Sequence, residues 1–359
     1  MSKSSNGVSS QRRYQADGLM HWAARVLATA NVSPDDASVT AAVLVRSDLR
    51  GFSTHGLSRL ASYMDRLQSG DVNPRAQIHF ERNGHAWNVD ADGALGQVAG
   101  QRVVEEASAF LAREPLLWVS LRETGHLGAL GIIALAAAEN GHICFMGQRT
   151  PPLLGLAGFK ERALGHNPFA FAAPVGEGLP PLVVDMACSV AARGHILLAA
   201  REKQPIPIEW ALTADGEPTT DAALAADGML QPAGGYKGMA IAMMMECLSA
   251  ALAASAPSNL SPTMAMPSGG AMPRQSAFFL FLNPELLDDK SAFLAYMQHW
   301  IGFYDRAGGE NARIPGAQGQ RLESLRRIQG LSYSPAITAE LSALGERTGV
   351  SFAEVGEAG

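Results

Sequence analysis

The sequence predicts a mixed α/β (α+β) fold. Three observations carry that expectation. Some segments repeat apolar residues with a helical period, as in Ala16–Ala30, whereas Leu116–Leu121, Ile143–Met146 and Phe278–Leu282 are short apolar runs of strand length. Among the 359 residues, 47% are hydrophobic and 17% charged, the composition of a folded chain with a sizeable core. A chain of this length is expected to divide into two closely connected domains.

After a polar, tail-like start over residues 1–13, Ala16–Ala30 reads as a helix. Ser33-Pro34-Asp35-Asp36 reads as a cap opening a second helix through about Arg50, because Pro is favoured at the first helical position. Arg59–Gln68 is a third helix, stopped at Gly70. Ile78-His79-Phe80 and Ala86-Trp87-Asn88-Val89 have β character, Gly100–Arg113 is helical, and Leu116–Leu121 is a buried strand. The run Thr124–Gly131 leads into an Ala-rich helix ending near Gly141, followed by a strand at Ile143–Met146. Ala163–Pro174 and Leu182–Met186 are β segments and Arg193–Ala200 is helical. Gly234–Ala254 is a glycine-rich turn and a long apolar helix. Its apolar part carries Glu246 and is shorter than the roughly 20 residues of a membrane span, so it is expected as a buried core helix. Pro257–Gln275, rich in Pro, Ser, Gly and Met, is expected as a mobile loop. Strand Phe278–Leu282 and helices Leu287–Tyr304 and Ala336–Thr348 complete the chain.

The formal net charge of −6, with no basic run interleaved with aromatics, argues against nucleic acid as a partner. Cys144, Cys188 and Cys247 are three, far apart and in apolar surroundings, a pattern of reduced thiols in a cytoplasm. No apolar run follows the charges of the start, so a signal peptide is not expected. The histidines lack metal-ligand spacing, and no metal is expected.

The most informative stretch is Leu49–Arg59, where Thr54 precedes His55, Gly56 follows it, and Arg59 stands four residues on. A group able to exchange a proton near neutral pH is thereby placed about one helical turn from a permanent cation. Reduction of a 2-oxo acid needs that pair, one member for the oxygen that becomes an alkoxide and the other for the neighbouring carboxylate. Neither G-x-G-x-x-G after a strand nor G-x-x-x-x-G-K-[ST] is present, so a nucleotide would be held without either common phosphate loop.

Seven segments in order resemble the malate/L-lactate dehydrogenase family of NAD(P)-dependent oxidoreductases. They are Arg50–Arg59, Thr124–Leu130, Gly165–Ala170, Val184–Ser189, Trp210–Asp221, Pro232–Gly238 and Arg313–Gly316, covering roughly residues 15–320. The family includes enzymes acting on ureidoglycolate, sulfolactate, diketogulonate and cyclic imino acids such as piperideine-2-carboxylate. The resemblance implies a nicotinamide-binding fold unrelated to the Rossmann fold, with a mixed, largely antiparallel sheet. It also implies a helical domain built from both chain ends (residues 14–75 with 285–359 against a core of 76–284), a homodimer, and NAD or NADP as cofactor.

The resemblance further implies roles. A hydride passing between nicotinamide and C2 of a 2-oxo or 2-imino acid leaves an alkoxide or amine in need of a proton, and His55 matches the family's proton donor. Arg59 matches the carboxylate clamp, a job suited to the paired donors of a guanidinium. Thr54, where relatives carry Ser, would orient His55. His126, read as opening a helix, is a cofactor contact or a second acid/base. With Leu127, Gly128, Ala129 and Leu130 it would face cofactor phosphate or nicotinamide. Asp185-Met186-Ala187, Gly235-Tyr236-Lys237, and Arg313, Pro315 and Gly316 match cofactor-contacting turns. His195 stands where malate- and lactate-type relatives tend to have Lys and cyclic-imine reductases an Asp, so it is a catalytic candidate that departs from the pattern. His166 replaces the Thr of a Gly-Thr-Asn-Pro turn and would reshape substrate binding. These departures also motivate the alternative of a catalytically weakened member that binds a nucleotide or small acid.

Overall fold

Strand-length apolar runs and amphipathic helices sort into two units in a computed structural model, which describes residues 12–176, 178–253 and 274–356. Residues 1–11 of the expected tail (1–13) and most of the expected loop Pro257–Gln275 lie outside the described residues. Gln275, expected in that loop, instead opens a strand.

One unit takes the chain up to Asp65 and again from Gln318. Ser33 Oγ accepts the Asp36 amide at 3.2 Å and Pro34 occupies the first turn, so the helix Pro34–Leu49 starts where the cap requires. It packs on the helix Ala16–Ala28, whose buried face is Leu19, Trp22, Ala23, Val26 and Leu27. The C-terminal segment closes this unit. Trp22 Nε1 donates to the Val350 carbonyl at 2.9 Å, and Tyr14 pairs with Leu331 as an isolated antiparallel bridge. The helix Ala317–Gln329 has no counterpart in the apolar periodicity, and the reason is physical. The residue it buries is Glu323, whose carboxylate meets Arg46 at 3.2 Å, Arg50 at 2.9 Å and Arg327 at 2.7 Å. Polar pairing, invisible to a hydrophobic pattern, seats this helix.

The second unit runs from Arg66 to Ala317 and carries both sheets. Its strands are β1 (His79–Asn83), β2 (Ala86–Asp90), β3 (Leu116–Thr124), β4 (Ile143–Gln148), β5 (Pro152–Leu154), β6 (Leu164–Gly165), β7 (Phe169–Ala173), β8 (Leu182–Met186), β9 (Ala211–Leu212), β10 (Met229–Leu230) and β11 (Gln275–Leu282). The large sheet has the order β1-β2-β3-β11-β4-β7-β8, and β2–β3 is its one parallel pairing, so the sheet is mixed and largely antiparallel. A small second sheet, β6-β5-β10-β9, has strands of two or three residues, too short for a periodicity to register.

β11 lies between β3 and β4 and is covered on both faces, which explains its nearly unbroken apolar sequence. Ala277, Phe279 and Phe281 pack with Val103 and Ala107 of the helix Gly96–Leu111 and Ile133 of the helix Leu130–Glu139. Phe278 faces the other way, stacking on Trp118 at 5.3 Å beside Ala242 and Met245. The helix Tyr236–Glu246 therefore buries Met239, Ala242 and Met245, but Ile241, Met243 and Met244 are exposed. The expectation of a fully buried core helix is thus corrected: this helix has one face on the sheet.

Helix Lys290–Gly308 belongs to the sheet-bearing unit, not with the chain ends. Phe293, Met297 and Ile301 pack against Ala173, Val175 and Leu182, which anchors this helix to the β7–β8 side of the sheet. Among the described residues no helix is long and apolar enough to cross a membrane.

Candidate active site

The His55 motif begins where the helix Pro34–Leu49 ends. It is not one helical turn. Ser53–His55 and Leu57–Arg59 are separate 3₁₀ turns joined by Gly56 in an extended conformation, before the helix Leu60–Ser69 begins. His55 N–H donates to Phe52 O at 2.8 Å, Arg59 N–H to Gly56 O at 3.0 Å, and the Ser58 hydroxyl to Ser53 O at 2.6 Å. His55 and Arg59 therefore stand on two consecutive turns, each fixed by its own backbone bond.

The Thr54 hydroxyl lies 3.0 Å from His55 Nδ1, a contact that orients the ring. Burial, and secondarily the charge of Arg59, lower the imidazole pKa to about 4. His55 is thus neutral at physiological pH, the form that accepts a proton from a hydroxyl. Arg59 is half-buried, and its Nε is buried with no hydrogen-bond partner among the described residues. A buried guanidinium N–H without an acceptor is costly unless something supplies one. A substrate carboxylate is the matching group.

The other matching segments meet in the sheet-bearing unit, around the end of β8. Gly131 N–H donates to Asp185 Oδ2 at 2.8 Å, joining the 124–131 segment to β8. Cys188 N–H donates to His166 O at 2.9 Å, and Ala233 N–H donates to Cys188 O at 2.8 Å. Gln231 O accepts from Val190 at 2.9 Å, while Gln231 N–H reaches Trp210 O at 3.0 Å. Gly316, at φ +88°, leaves no room for a Cβ, which would lie 2.9 Å from Val183 Cβ, and Val183 N–H donates to Pro315 O at 3.2 Å. One network of hydrogen bonds, backbone–backbone except at the Asp185 carboxylate, thus draws six of the seven segments together.

The expectation that His126 opens a helix is corrected. The helix begins at Leu130, and His126, half-buried, lies in the loop before it. That loop is clamped by Gln148, a buried residue that sequence reasoning missed. Its Oε1 accepts Leu127 N–H at 3.1 Å and its Nε2 donates to Gly125 O at 3.0 Å. Gln97 Nε2 adds a bond to His126 O at 3.3 Å, and Gly96 passes so close that a Cβ there would lie 2.2 Å from the same oxygen. Only isolated glutamines mark these positions in the sequence, with no motif to flag them. The Asp185 carboxylate sits at the helix start, its pKa raised by burial to about 6 against the pull of the Gly131 amide. A helix N-terminus already facing a carboxylate is a poor phosphate cradle.

A better one stands at Gly234-Gly235, which have φ of +65° and +64°; a Cβ at either would meet nothing within 4 Å. The 11-residue helix they open has no side-chain cap, and Tyr236 and Lys237 of its first turn are exposed. Left-handed glycines, uncapped amides and a lysine fit an anionic group such as a nucleotide phosphate. Ser189, in the β8 turn, adds a buried hydroxyl without a hydrogen-bond partner among the described residues. Arg313 is exposed and turns back to Glu310 O and Ala312 O at 2.8 and 2.9 Å. His166 is half-buried, with Nδ1 3.0 Å from Thr150 Oγ1. Next to it Asn167 is buried at φ +29° and bonded to Glu246 at 2.8 Å, and Glu246 pairs with Arg149 at 2.9 Å. His195 is exposed in the first turn of the helix Arg193–Arg201, its ring 6.1 Å from that of Trp210.

A family model described as malate/L-lactate dehydrogenase matches residues 14–342. The chain is 34% identical over 311 residues to (2R)-3-sulfolactate dehydrogenase (NADP(+)) of Chromohalobacter salexigens, covering 86% of this chain and 90% of that one. It is 32% identical to L-lactate dehydrogenase of Cupriavidus necator, covering 91% and 95%. The solved sulfolactate dehydrogenase from Methanocaldococcus jannaschii superposes with a TM-score of 0.84 at 29% identity, over 96% of this chain and 99% of that one. The chain belongs to the malate/L-lactate dehydrogenase family of NAD(P)-dependent oxidoreductases.

Proposed function

We propose that this protein oxidises a small 2-hydroxy acid, and reduces the matching 2-oxo acid, with His55 as the proton-exchanging group and Arg59 as the carboxylate clamp. The observation that carries this reading is the pairing of a neutral, Thr54-bonded His55 with a buried Arg59 Nε–H that has no acceptor among the described residues. NAD(P), when bound, supplies the hydride acceptor or donor. The turns at 126–130, 185–189 and 234–237 would hold it, Lys237 and the uncapped amides of the helix start offering partners for an anionic group.

In the oxidation direction His55 Nε2 takes the hydroxyl proton while Thr54 Oγ1 accepts from Nδ1–H, and the same imidazolium returns the proton in reduction. Arg59 holds the carboxylate through Nε–H and its terminal N–H groups, which fixes C2. Sulfolactate and L-lactate, the substrates named for the relatives, share this 2-hydroxy carboxylate, and they support a hydroxy acid over a cyclic imine. An exposed His195 offers no carboxylate with which to build the relay of the imine reductases. The comparisons do not favour the alternative of an inert binder. Free thiols at Cys144, Cys188 and Cys247 fit a reducing cytoplasm.

We also infer a homodimer. Helix Lys290–Gly308 exposes Tyr296 and Phe303 at 70% and 60%, with Trp300 and Tyr304 beside them, an aromatic face suited to a second copy. The primary test is His55→Ala, expected to lose at least about 10²-fold in kcat while keeping its affinity for the nicotinamide nucleotide.

A further inference from the structure

The residue beneath the His55 turn is Asp48, in the last turn of the helix Pro34–Leu49 and 3% exposed. Its Oδ2 accepts two hydrogen bonds, from Leu57 N–H at 2.9 Å and from the Tyr333 hydroxyl at 2.9 Å. Its Oδ1 and Cγ press on the backbone of Gly56, where a Cβ would lie 1.8 and 2.2 Å from them. Its carbonyl accepts from Gly51 N–H at 3.1 Å and from the Arg326 guanidinium. One buried side chain therefore touches Gly56, which joins the His55 turn to the Arg59 turn, and Leu57, which opens the second, and ties them to the C-terminal segment through Tyr333.

A carboxylate in such a place is not a packing convenience. Burial raises its pKa to about 7, against the opposing pull of the Leu57 amide and the Tyr333 hydroxyl. An apolar side chain of similar size would avoid that cost but could not accept either bond, and the Leu57 amide and the Tyr333 hydroxyl would be left buried and unpaired. The arrangement makes sense if the conformation of the 55–59 turns is what has to be held.

We propose that Asp48 is the positioning residue of the active site, fixing through Gly56 and Leu57 the spacing and orientation of His55 and Arg59. This rests on the reading of His55 and Arg59 as the reacting pair. Asp48 does not itself exchange the proton. It acts as a double acceptor under the turn, and Gly56 is glycine because the carboxylate occupies the space of its side chain. Displacing both reacting groups together moves substrate binding and turnover at once, whereas nucleotide affinity, which does not draw on the 55–59 turns, is unchanged.

The test compares Asp48→Ala, Asp48→Asn and Gly56→Ala with the wild type, by steady-state kinetics, nucleotide affinity and hydrogen exchange. Asp48→Ala is expected to lower kcat about 10²-fold, the usual effect of a misplacement near 1 Å, and to raise KM for the hydroxy acid. Its nucleotide affinity stays at the wild-type value, and exchange accelerates at residues 53–59 but not in the helix Leu130–Glu139. Asp48→Asn, whose amide oxygen accepts both bonds, is expected to stay within about tenfold of wild type. Gly56→Ala gives the same split as Asp48→Ala, and the double variant is no worse than the poorer single one, as two changes acting through one contact should be. A purely structural residue would lower the active fraction while leaving KM unchanged. That result, unchanged exchange at 53–59, or Asp48→Asn as impaired as Asp48→Ala, would overturn the proposal. If His55→Ala keeps wild-type turnover, the reading of the reacting pair fails instead, and the exchange data alone judge Asp48.

Discussion

His55 carries an imidazole held at about pH 4 by burial and by Arg59, and this has a kinetic consequence. In the free enzyme the base form persists far below the ordinary histidine range, so kcat/KM for oxidation should fall on the acid side only near pH 4. A substrate carboxylate on Arg59 cancels part of the charge that depresses the imidazole. The acid limb of kcat should therefore lie at higher pH than that of kcat/KM. Coincident limbs near pH 6.5 would contradict this. Asp48 gives the complementary case in stability. Its folded pKa, about 7, is above the value of 3.8 for the free group, so its contribution is full below about pH 4 and is lost as pH rises toward 7. Asp48→Asn, which does not titrate, should gain stability relative to wild type across that window in denaturant titrations at several pH values. A difference independent of pH would refute the burial argument. Neither group's behaviour was legible in the sequence. The His–Arg spacing was, but the Asp48 beneath it is seven residues upstream of His55 and belongs to the neighbouring helix.

Among the elements, β11 bears the heaviest packing. Phe278 is fully buried between Trp118, Phe145 and the helix Tyr236–Glu246. Phe278→Ala should cost about 3–5 kcal/mol in urea unfolding, and a loss below about 1 kcal/mol would mean that this side of the sheet is not a packed core. Elements like β11 were legible because burial writes itself into composition. The capped helix Pro34–Leu49 was legible too, since Ser33 and Pro34 do locally what the cap demands. Two kinds of element were not. The helix Ala317–Gln329 is seated by Glu323 and three arginines, and β5, β9 and β10 are too brief to repeat anything. The candidate site divides in the same way. The glycine turns and charged residues announce themselves, whereas Gln148 and Gln97 hold the His126 loop with side chains that could have served anywhere on a surface.

On the scale of the whole molecule, the helix Lys290–Gly308 exposes Tyr296, Trp300, Phe303 and Tyr304, and the helix Tyr236–Glu246 exposes Met243 and Met244. Faces of this kind are uncommon on a solitary chain. Sedimentation should find a dimer of the 359-residue chain, and Trp300→Glu with Phe303→Glu should shift it toward monomer without unfolding it. A wild-type monomer at all concentrations would remove this inference but leave the chemistry standing. The chemistry has its own decisive measurement: nicotinamide absorbance followed with a panel of 2-hydroxy and 2-oxo acids, for the wild type and His55→Ala side by side. The wild type is expected to turn over at least one of these acids with NAD or NADP, and His55→Ala to bind the nucleotide equally well but to be slower by at least about 10²-fold. Turnover in His55→Ala equal to wild type would contradict the role of His55.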